Sequence, residues 1–141
     1  MKKDWNFSNY FNEPKKEFNL SDKFSSVIII DNNEIDNFIT TKFLEHYGIT
    51  DIIAFTNNKS ALTYLKETEN TYQLILVGLY MSIAGGFEFI DEFRKLELHK
   101  KHGKVILLSV LYSPIDTEMA TARNINFLDK PLLIEKLLEY I

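Results

Sequence analysis

The apolar residues after position 25 follow two alternating patterns. Short runs of β-branched and other apolar residues, as expected for strands covered on both faces, alternate with segments in which apolar residues recur at the helical period. This alternation predicts an α/β domain built on a parallel sheet of five strands. The predicted strands are 27–30, 52–55, 74–77, 105–108 and 125–128.

The helical segments between these strands have recognisable ends. Asn33 with Asp36 resembles a capping box before the first helix, and Gly48 is typical of that helix's end. Ser113 is a candidate cap for a later helix, because Pro114 follows it at the first helical position. We expect buried stripes on the first and the closing helix, made of Ile35, Phe38, Ile39, Phe43 and Tyr47, and of Leu133, Leu137, Leu138 and Ile141.

Residues 1–24 differ from the rest of the chain, and we assign them to an N-terminal arm ahead of a domain at residues 25–141. They are polar, show no sustained period and contain Pro14, yet they are richer in aromatic residues than disordered tails. Two interpretations stay open: a mobile tail, and an aromatic segment that docks on a partner. The aromatic residues are Trp5, Phe7, Tyr10, Phe11, Phe18 and Phe24.

Composition and charge exclude several functional classes. The net charge is -4 and no stretch is dense in Lys and Arg, so we expect no nucleic acid partner. No apolar run approaches the roughly 20 residues that span a bilayer, so we expect no membrane association and a cytoplasmic location. The absence of cysteine excludes disulfide and thiolate chemistry.

The residues that directly follow four of the predicted strands form a candidate site. Ligands of open α/β sheets bind beyond the carboxyl ends of the strands, where the side chains of neighbouring strands converge. We therefore predict a site that combines a carboxylate, a hydroxyl and an ammonium group at this edge. The residues after strands one, three, four and five are Asp31, Gly78, Ser109 and Lys130.

Motifs around these positions suggest a family. Asp31-Asn32-Asn33-Glu34 follows the first strand, Met81 precedes the Gly85-Gly86 pair after the third, and Lys130-Pro131 follows the fifth. In this order and at this spacing, the motifs resemble the receiver domain of two-component response regulators over residues 26–141. The resemblance implies a doubly wound, flavodoxin-like fold with strand order 2-1-3-4-5, in a bacterial phosphorelay protein that transduces signals.

The chain departs from this family at the residues that carry its chemistry. In receivers, an acidic pair after strand one holds magnesium, and an aspartate that ends strand three accepts the phosphoryl group. The resemblance places Asp31 and Asn32 at the pair and Gly78 at the acceptor. Glycine offers no oxygen to attack phosphorus, and Asp31 remains as a single, weak magnesium ligand. We expect no cofactor, weak or absent magnesium binding, no phosphorylation at the usual position and no enzymatic activity.

Other parts of the family's pocket persist. The resemblance matches Ser109 and Lys130 to groups that hold phosphoryl oxygens, and Phe127 to an aromatic switch residue. Without the acceptor aspartate, we expect Lys130 to pair with Asp31, because an unpaired ammonium there would be costly to desolvate. The alternatives are that Asp31 is a solvated loop acid, that Ser109 caps nearby backbone, and that Phe127 is simply packed.

We interpret the chain as a pseudo-receiver that binds a protein partner through the arm or through the face of the fourth helix, fifth strand and fifth helix, as the resemblance implies. The partner would be a histidine kinase, a phosphotransfer protein or a downstream signalling protein. Three alternatives stay open: phosphorylation on the hydroxyl of Tyr80, Ser82 or Ser109; a small flavodoxin-like enzyme or binder of nucleotide or flavin; and a structural subunit such as a homodimer. No Gly-rich phosphate loop follows the first strand, which disfavours the second.

A weaker signal lies between the third helix and the fourth strand. His99 and His102 have a spacing that could bind a metal ion on a helix. Their neighbours Lys100, Lys101 and Gly103 instead favour a solvated loop.

Overall fold

The computed structural model describes residues 19–81 and 85–141. In this part of the chain, five parallel strands form one sheet in the order β2-β1-β3-β4-β5, which confirms the predicted fold class and strand order. The strands are β1 (Ser26–Ile30), β2 (Asp51–Phe55), β3 (Leu74–Gly78), β4 (Lys104–Ser109) and β5 (Asn126–Asp129). The helices are α1 (Glu34–His46), α2 (Asn58–Glu67), α3 (Gly86–Lys95), α4 (Pro114–Ala122) and α5 (Ile134–Leu138), with 3₁₀ turns at Leu20–Asp22 and Leu98–Lys100.

Strand β1 shows how the sheet supplies a core on each face. Ile28 and Ile30 join the core under α2, α3 and α4, whereas Val27 and Ile29 join the core under α1 and α5. Every position of β1 is buried, because successive side chains point to opposite, equally covered faces. The uninterrupted apolar run in the sequence follows from this double burial. Within the described residues, no helix combines the length and the apolar character that crossing a membrane requires.

Helix α1 buries a different face from the predicted one. Ile35 is 70% exposed and Phe38 is 55% exposed, so the prediction was wrong at these two positions. Phe43 is buried as expected, but the inward positions of the first turns belong to the polar residues Asn37 and Thr40. Asn37 tolerates burial because its side-chain amide donates to the carbonyl oxygen of Asp31 at 2.9 Å. Two large apolar side chains therefore face solvent at the start of α1.

The N-terminus of α1 has half of the predicted capping box. The side chain of Asn33 accepts hydrogen bonds from the backbone amides of Ile35 and Asp36, at 2.9 and 3.2 Å. Asp36 does not complete the box, because its carboxylate contacts the ammonium of Lys130. The predicted box was therefore wrong for Asp36.

Helices α4 and α5 begin in different ways. Ser113 and Asp116 form the complete capping box predicted for α4, and Pro114 occupies the first turn. Helix α5 begins only at Ile134, so Leu133 precedes it and is exposed, which contradicts its predicted burial. Leu137 is buried as predicted, and Ile134 is buried at the start of the helix. Leu133 lies before the first helical turn, so the helical period does not place it on the buried face.

The last residues of the predicted arm pack on the core under α1 and α5. Leu20 and Phe24 are buried there, and the backbone amide of Leu20 donates to the carbonyl oxygen of Tyr47 at 2.7 Å. Gly48, which follows α1, has a φ of +94°, the left-handed conformation that glycine adopts most readily. Residues 1–18 lie outside the described residues, so the division at residue 24 and the docking role of the arm stay predictions.

His102 is buried, so the prediction of a solvated loop was wrong for this residue, whereas His99 is exposed. The backbone amide of Tyr72 donates to Nδ1 of His102 at 3.1 Å, and Nε2 lies 2.9 Å from the carbonyl oxygen of Leu65. These partners fix a neutral ring with its proton on Nε2. Among residues 19–81 and 85–141, no group of three or more metal-ligating side chains includes either histidine.

We predict that His102 makes the protein less stable as the pH falls. Burial lowers the pKa of its imidazole, so the unfolded chain takes up a proton near pH 6.5 while the folded chain does not. The free energy of unfolding should therefore be independent of this group above that pH and decrease below it. Urea titrations between about pH 7.5 and 5 should show the slope. His102→Gln, which keeps one acceptor and one donor, should reduce this slope. Equal slopes in the unaltered protein and the variant would contradict the prediction.

Candidate functional site

The structure brings the predicted site residues to the carboxyl edge of the sheet. Asp31 follows β1, Gly78 ends β3 beside Leu108 of β4, and Ser109 ends β4. Lys130 follows β5, and its backbone amide donates to the carbonyl oxygen of Ser109 at 3.1 Å. The peptide bond from Lys130 to Pro131 is cis. Parallel strands that end together thus gather side chains from distant parts of the sequence.

Asp31 is held in place by backbone on both sides. Its amide donates to the carbonyl oxygen of Phe55 at the end of β2, at 3.0 Å. Its side-chain oxygen Oδ1 accepts a hydrogen bond from the backbone amide of Asn33 at 3.0 Å. The other oxygen, Oδ2, accepts a hydrogen bond from Nζ of Lys130. The ion pair expected between Asp31 and Lys130 is therefore present, and the alternative of a solvated loop acid is not.

Lys130 contacts a second carboxylate that sequence reasoning did not assign to the site. Its ammonium lies 3.0 Å from Oδ2 of Asp36, in the first turn of α1. The side chains of Lys130 and Asp31 are only 16% and 6% exposed. Burial alone lowers the pKa of Lys130, but the hydrogen bonds and charges of Asp31 and Asp36 outweigh burial and raise that pKa above its ordinary value. The ammonium is therefore charged and held between two acids.

Gly78 leaves a space that the carboxylate of Asp31 occupies. A Cβ atom at position 78 would lie 2.8 Å from Oδ2 and 3.0 Å from Cγ of Asp31. Separations below 3.0 Å require an atom to move, and Asp31 is buried and fixed by its ion pair. The glycine and the present position of Asp31 thus depend on each other.

Ser109 is buried, and its hydroxyl is engaged by local backbone. Oγ donates a hydrogen bond to the carbonyl oxygen of Leu111, two residues along the loop after β4. The site at this edge therefore consists of an ion pair between Asp31 and Lys130, supported by Asp36, beside a serine that caps its own loop. Asn32 is exposed and is one of the residues that line a groove between α2 and α3.

Comparisons with known proteins agree with this fold. A model of the response regulator receiver domain family matches residues 27–141. The chain belongs to this family. A two-component response regulator from Cytophaga hutchinsonii has a TM-score of 0.73 and 27% sequence identity, over 82% of this chain and 92% of that chain. A receiver protein from Pseudomonas putida has a TM-score of 0.71 at 23% identity, over 82% of this chain and 93% of that chain.

Two curated relatives are much longer proteins from the yeast Schizosaccharomyces pombe. The receiver is 24% identical to the peroxide stress-activated histidine kinase mak1 over 123 aligned residues. The alignment covers 85% of this chain and 8% of that protein. The receiver is 29% identical over 154 residues to the kinase mak3, over 96% of this chain and 6% of that protein. The chain therefore spans less than a tenth of either relative. Because relatives come from yeast and from bacteria, the bacterial source stays a prediction.

The site of this receiver does not fit the magnesium ion that its family implies. Magnesium requires hard oxygen ligands in near-octahedral geometry, usually from carboxylates, waters and phosphate. Of the three matching positions, Asn32 is an exposed amide, Gly78 has no side chain, and Asp31 is bound by Lys130. The second acid, Asp36, contacts the same ammonium. The ammonium of Lys130 thus already neutralises the carboxylates of Asp31 and Asp36, which could otherwise approach a metal ion.

Phe127, which the resemblance matches to the family's switch residue, contacts two aromatic rings. Its ring stacks on Tyr112, with centroids 4.8 Å apart and an interplanar angle of 4°. It also meets the ring of Phe87 edge-on, with ring centroids 6.1 Å apart. These contacts agree with the interpretation that Phe127 is simply packed. Tyr112 was not expected at this site, since nothing in its sequence position relates it to β5.

A second missed contact joins the loop after β3 to α4. The hydroxyl of Tyr80 donates to Oδ2 of Asp116, the acid of the α4 capping box. The backbone amide of Ser113, followed by the hydroxyl of Tyr80, lowers the pKa of Asp116 below its ordinary value. The same hydrogen bond raises the pKa of Tyr80. The residue two positions after Gly78 is thereby tied to the first turn of α4.

We predict that Tyr80→Phe raises the pKa of Asp116 only part of the way towards its ordinary value. The substitution removes one donor, whereas the amide of Ser113, at 2.8 Å from Oδ2, remains. The side-chain carboxyl signal of Asp116, followed by NMR from neutral to acid pH, measures the change. Tyr112→Phe, which removes a hydroxyl from the neighbouring loop, should leave the pKa unchanged. An unchanged value in Tyr80→Phe would show that the contact is absent in solution.

Proposed function

We propose that this receiver is a non-enzymatic signalling module that takes up no phosphoryl group at the family's usual position and acts by binding another protein. One observation carries the proposal: Gly78 stands at the acceptor position, and the carboxylate of Asp31 fills the space in front of it. An acyl phosphate requires a carboxylate nucleophile there, and the chain has none.

The charges of the pocket support this proposal. A bound phosphoryl group adds roughly two negative charges. It would have to compete with Asp31 and Asp36 for the single ammonium of Lys130, and it would approach two carboxylates without a metal ion between them. We therefore propose that magnesium binding is weak or absent, and that the ion pair is the resting state of the pocket.

An apolar surface beside the site supports a protein partner. Four large apolar side chains in the loop after β4 and the first turn of α4 are exposed, with Leu111 at 76%. Exposed apolar clusters on a small domain mark surfaces that bind other proteins. We propose that a histidine kinase, a phosphotransfer protein or a downstream signalling protein binds this face of α4, β5 and α5, in the cytoplasm and without nucleic acid or membrane. The cluster consists of Val110, Leu111, Tyr112 and Ile115.

Phosphorylation on a hydroxyl has less support. Two of the three candidate hydroxyls donate hydrogen bonds within the protein, from Ser109 to Leu111 and from Tyr80 to Asp116. The third, Ser82, lies outside the described residues. A homodimer through the apolar surface remains a variant of the binding proposal, and sedimentation at increasing protein concentration distinguishes it. The N-terminal arm remains a second candidate for partner binding.

A small phosphodonor with magnesium tests the proposal. We expect the intact mass of the protein to stay unchanged after incubation with acetyl phosphate, under conditions in which a receiver with an acceptor aspartate is labelled. A hydroxylamine-sensitive adduct would reveal an acyl phosphate and overturn the proposal. An adduct that resists hydroxylamine would instead favour a hydroxyl as the acceptor.

A further inference from the structure

Of the site residues described above, Asn32 lines a groove between α2 and α3, whereas Asp31, Gly78, Ser109 and Lys130 do not. The groove's volume of about 890 Å³ falls within the range of roughly 300–1,000 Å³ that is usual for ligand sites in proteins. One rim is a stripe of α2 that includes Lys59 and Lys66, seven residues apart and therefore on one side of the helix. The other rim belongs to α3 and includes Glu88 and Glu92, four residues apart.

The opposite charges of the two rims do not neutralise each other. Within residues 19–81 and 85–141, no ion pair joins the lysines of α2 to the acids of α3. Asp91, also on the α3 rim, is paired instead with Arg123 at 2.7 Å. The groove therefore separates a positive rim from a negative one, and both remain available to a ligand.

The floor of the groove combines apolar and polar features. Leu62, Met81 and Leu96 lie at the edge of the core and are only partly buried. Asn58 donates from its side-chain amide to the carbonyl oxygen of Gly85 at 3.1 Å, while its own Oδ1 is buried and has no hydrogen-bond partner.

We propose that the groove between α2 and α3 binds a short peptide segment of a partner protein, with acidic side chains towards α2, basic side chains towards α3 and an apolar side chain between them. An open groove with charged rims suits a peptide, because its charged side chains stay partly solvated while its apolar side chain is buried. The groove would be a second binding surface, in addition to the face of α4, β5 and α5, and peptide binding there would not require phosphorylation.

A peptide-display selection on the full chain tests this inference. A random library displayed on phage is expected to yield peptides with the stated charge pattern. Synthetic copies of them should shift the amide NMR signals of Lys59, Lys66, Glu88 and Glu92. The double variant Lys59→Glu/Lys66→Glu should weaken their binding by at least about tenfold, since it replaces two attractive contacts by repulsive ones. Lys136→Glu, an exposed change on α5, should leave binding unchanged.

Reversing both rims provides the sharpest control. The fourfold variant, in which Lys59 and Lys66 become Glu and Glu88 and Glu92 become Lys, should reject the selected peptides and bind copies with all charges exchanged. The inference is overturned if no peptide is enriched, if binding is insensitive to the rim charges, or if the shifts fall on the loop after β4. It is also overturned if deletion of residues 1–18 shifts the groove signals, since the chain would then fill its own groove.

Discussion

Replacing Lys130 by methionine is expected to lower the free energy of unfolding by about 3 kcal/mol, because it leaves the buried carboxylate of Asp31 without a counter-charge. Methionine keeps most of the volume of the side chain, so the loss reports charge rather than a cavity. Urea unfolding near pH 7 measures the change. At this pH the Lys130 ammonium is charged, because its raised pKa means that it loses its proton only at alkaline pH.

Two variants separate the ion pair from other effects of this substitution. Lys136→Met removes an exposed lysine that lies 3.8 Å from Glu139, and exposed pairs of this kind contribute about 0–1 kcal/mol. Asp31→Asn combined with Lys130→Met removes both charges and should recover most of the lost stability, since the amide oxygen still accepts from Asn33. Equal losses for Lys130→Met and Lys136→Met would contradict the structural role of the pair.

Restoring both missing carboxylates is expected to convert an unreactive protein into one that is labelled by acetyl phosphate. The double variant Gly78→Asp/Asn32→Asp supplies the acceptor oxygen and completes the acidic pair that the family uses for magnesium. The new side chain at position 78 must displace Asp31, whose Oδ2 lies 2.8 Å from the Cβ position. Without magnesium, the crowded carboxylates should destabilise the protein, and magnesium should reverse that loss. Intact mass and thermal unfolding with and without magnesium measure both effects.

Gly78→Ala is the matched control for this gain of function. It introduces the same Cβ atom and the same displacement of Asp31, but no oxygen. It should be less stable than the unaltered chain, show no response to magnesium and take up no phosphate. If the double variant is also unlabelled and insensitive to magnesium, the loss of function does not lie in these two positions alone.

The strands and the edge that gathers the site were predictable from the sequence for physical reasons. A parallel sheet that is covered on both faces leaves uninterrupted apolar runs such as Val27 to Ile30, and all its strands end at one edge. The pairing of Lys130 with Asp31 followed from that convergence, because a buried ammonium needs a counter-charge.

Three wrong predictions share one cause, which is that tertiary contacts decided which way a side chain faces. Asn37 is buried because it hydrogen-bonds to the backbone beyond β1, and Ile35 is therefore exposed. Asp36 fits the pattern of a helix cap, yet it turns to Lys130, 94 residues away. His102 sits in a polar stretch but meets backbone partners from α2 and from the segment before β3. The partners of Asp36 and His102 are distant in sequence, and the partner of Asn37 lies beyond the end of its own helix, so no local period or motif indicates them.

Beryllofluoride, which mimics the acyl phosphate of receivers, tests the central claim most directly. We expect beryllofluoride with magnesium to leave the amide NMR signals of Asp31, Ser109 and Lys130 unchanged in the unaltered chain, and to shift them in Gly78→Asp/Asn32→Asp. Shifts at these residues in the unaltered chain that disappear on chelation of magnesium would contradict the account, because they would show that the pocket still accepts a phosphoryl group.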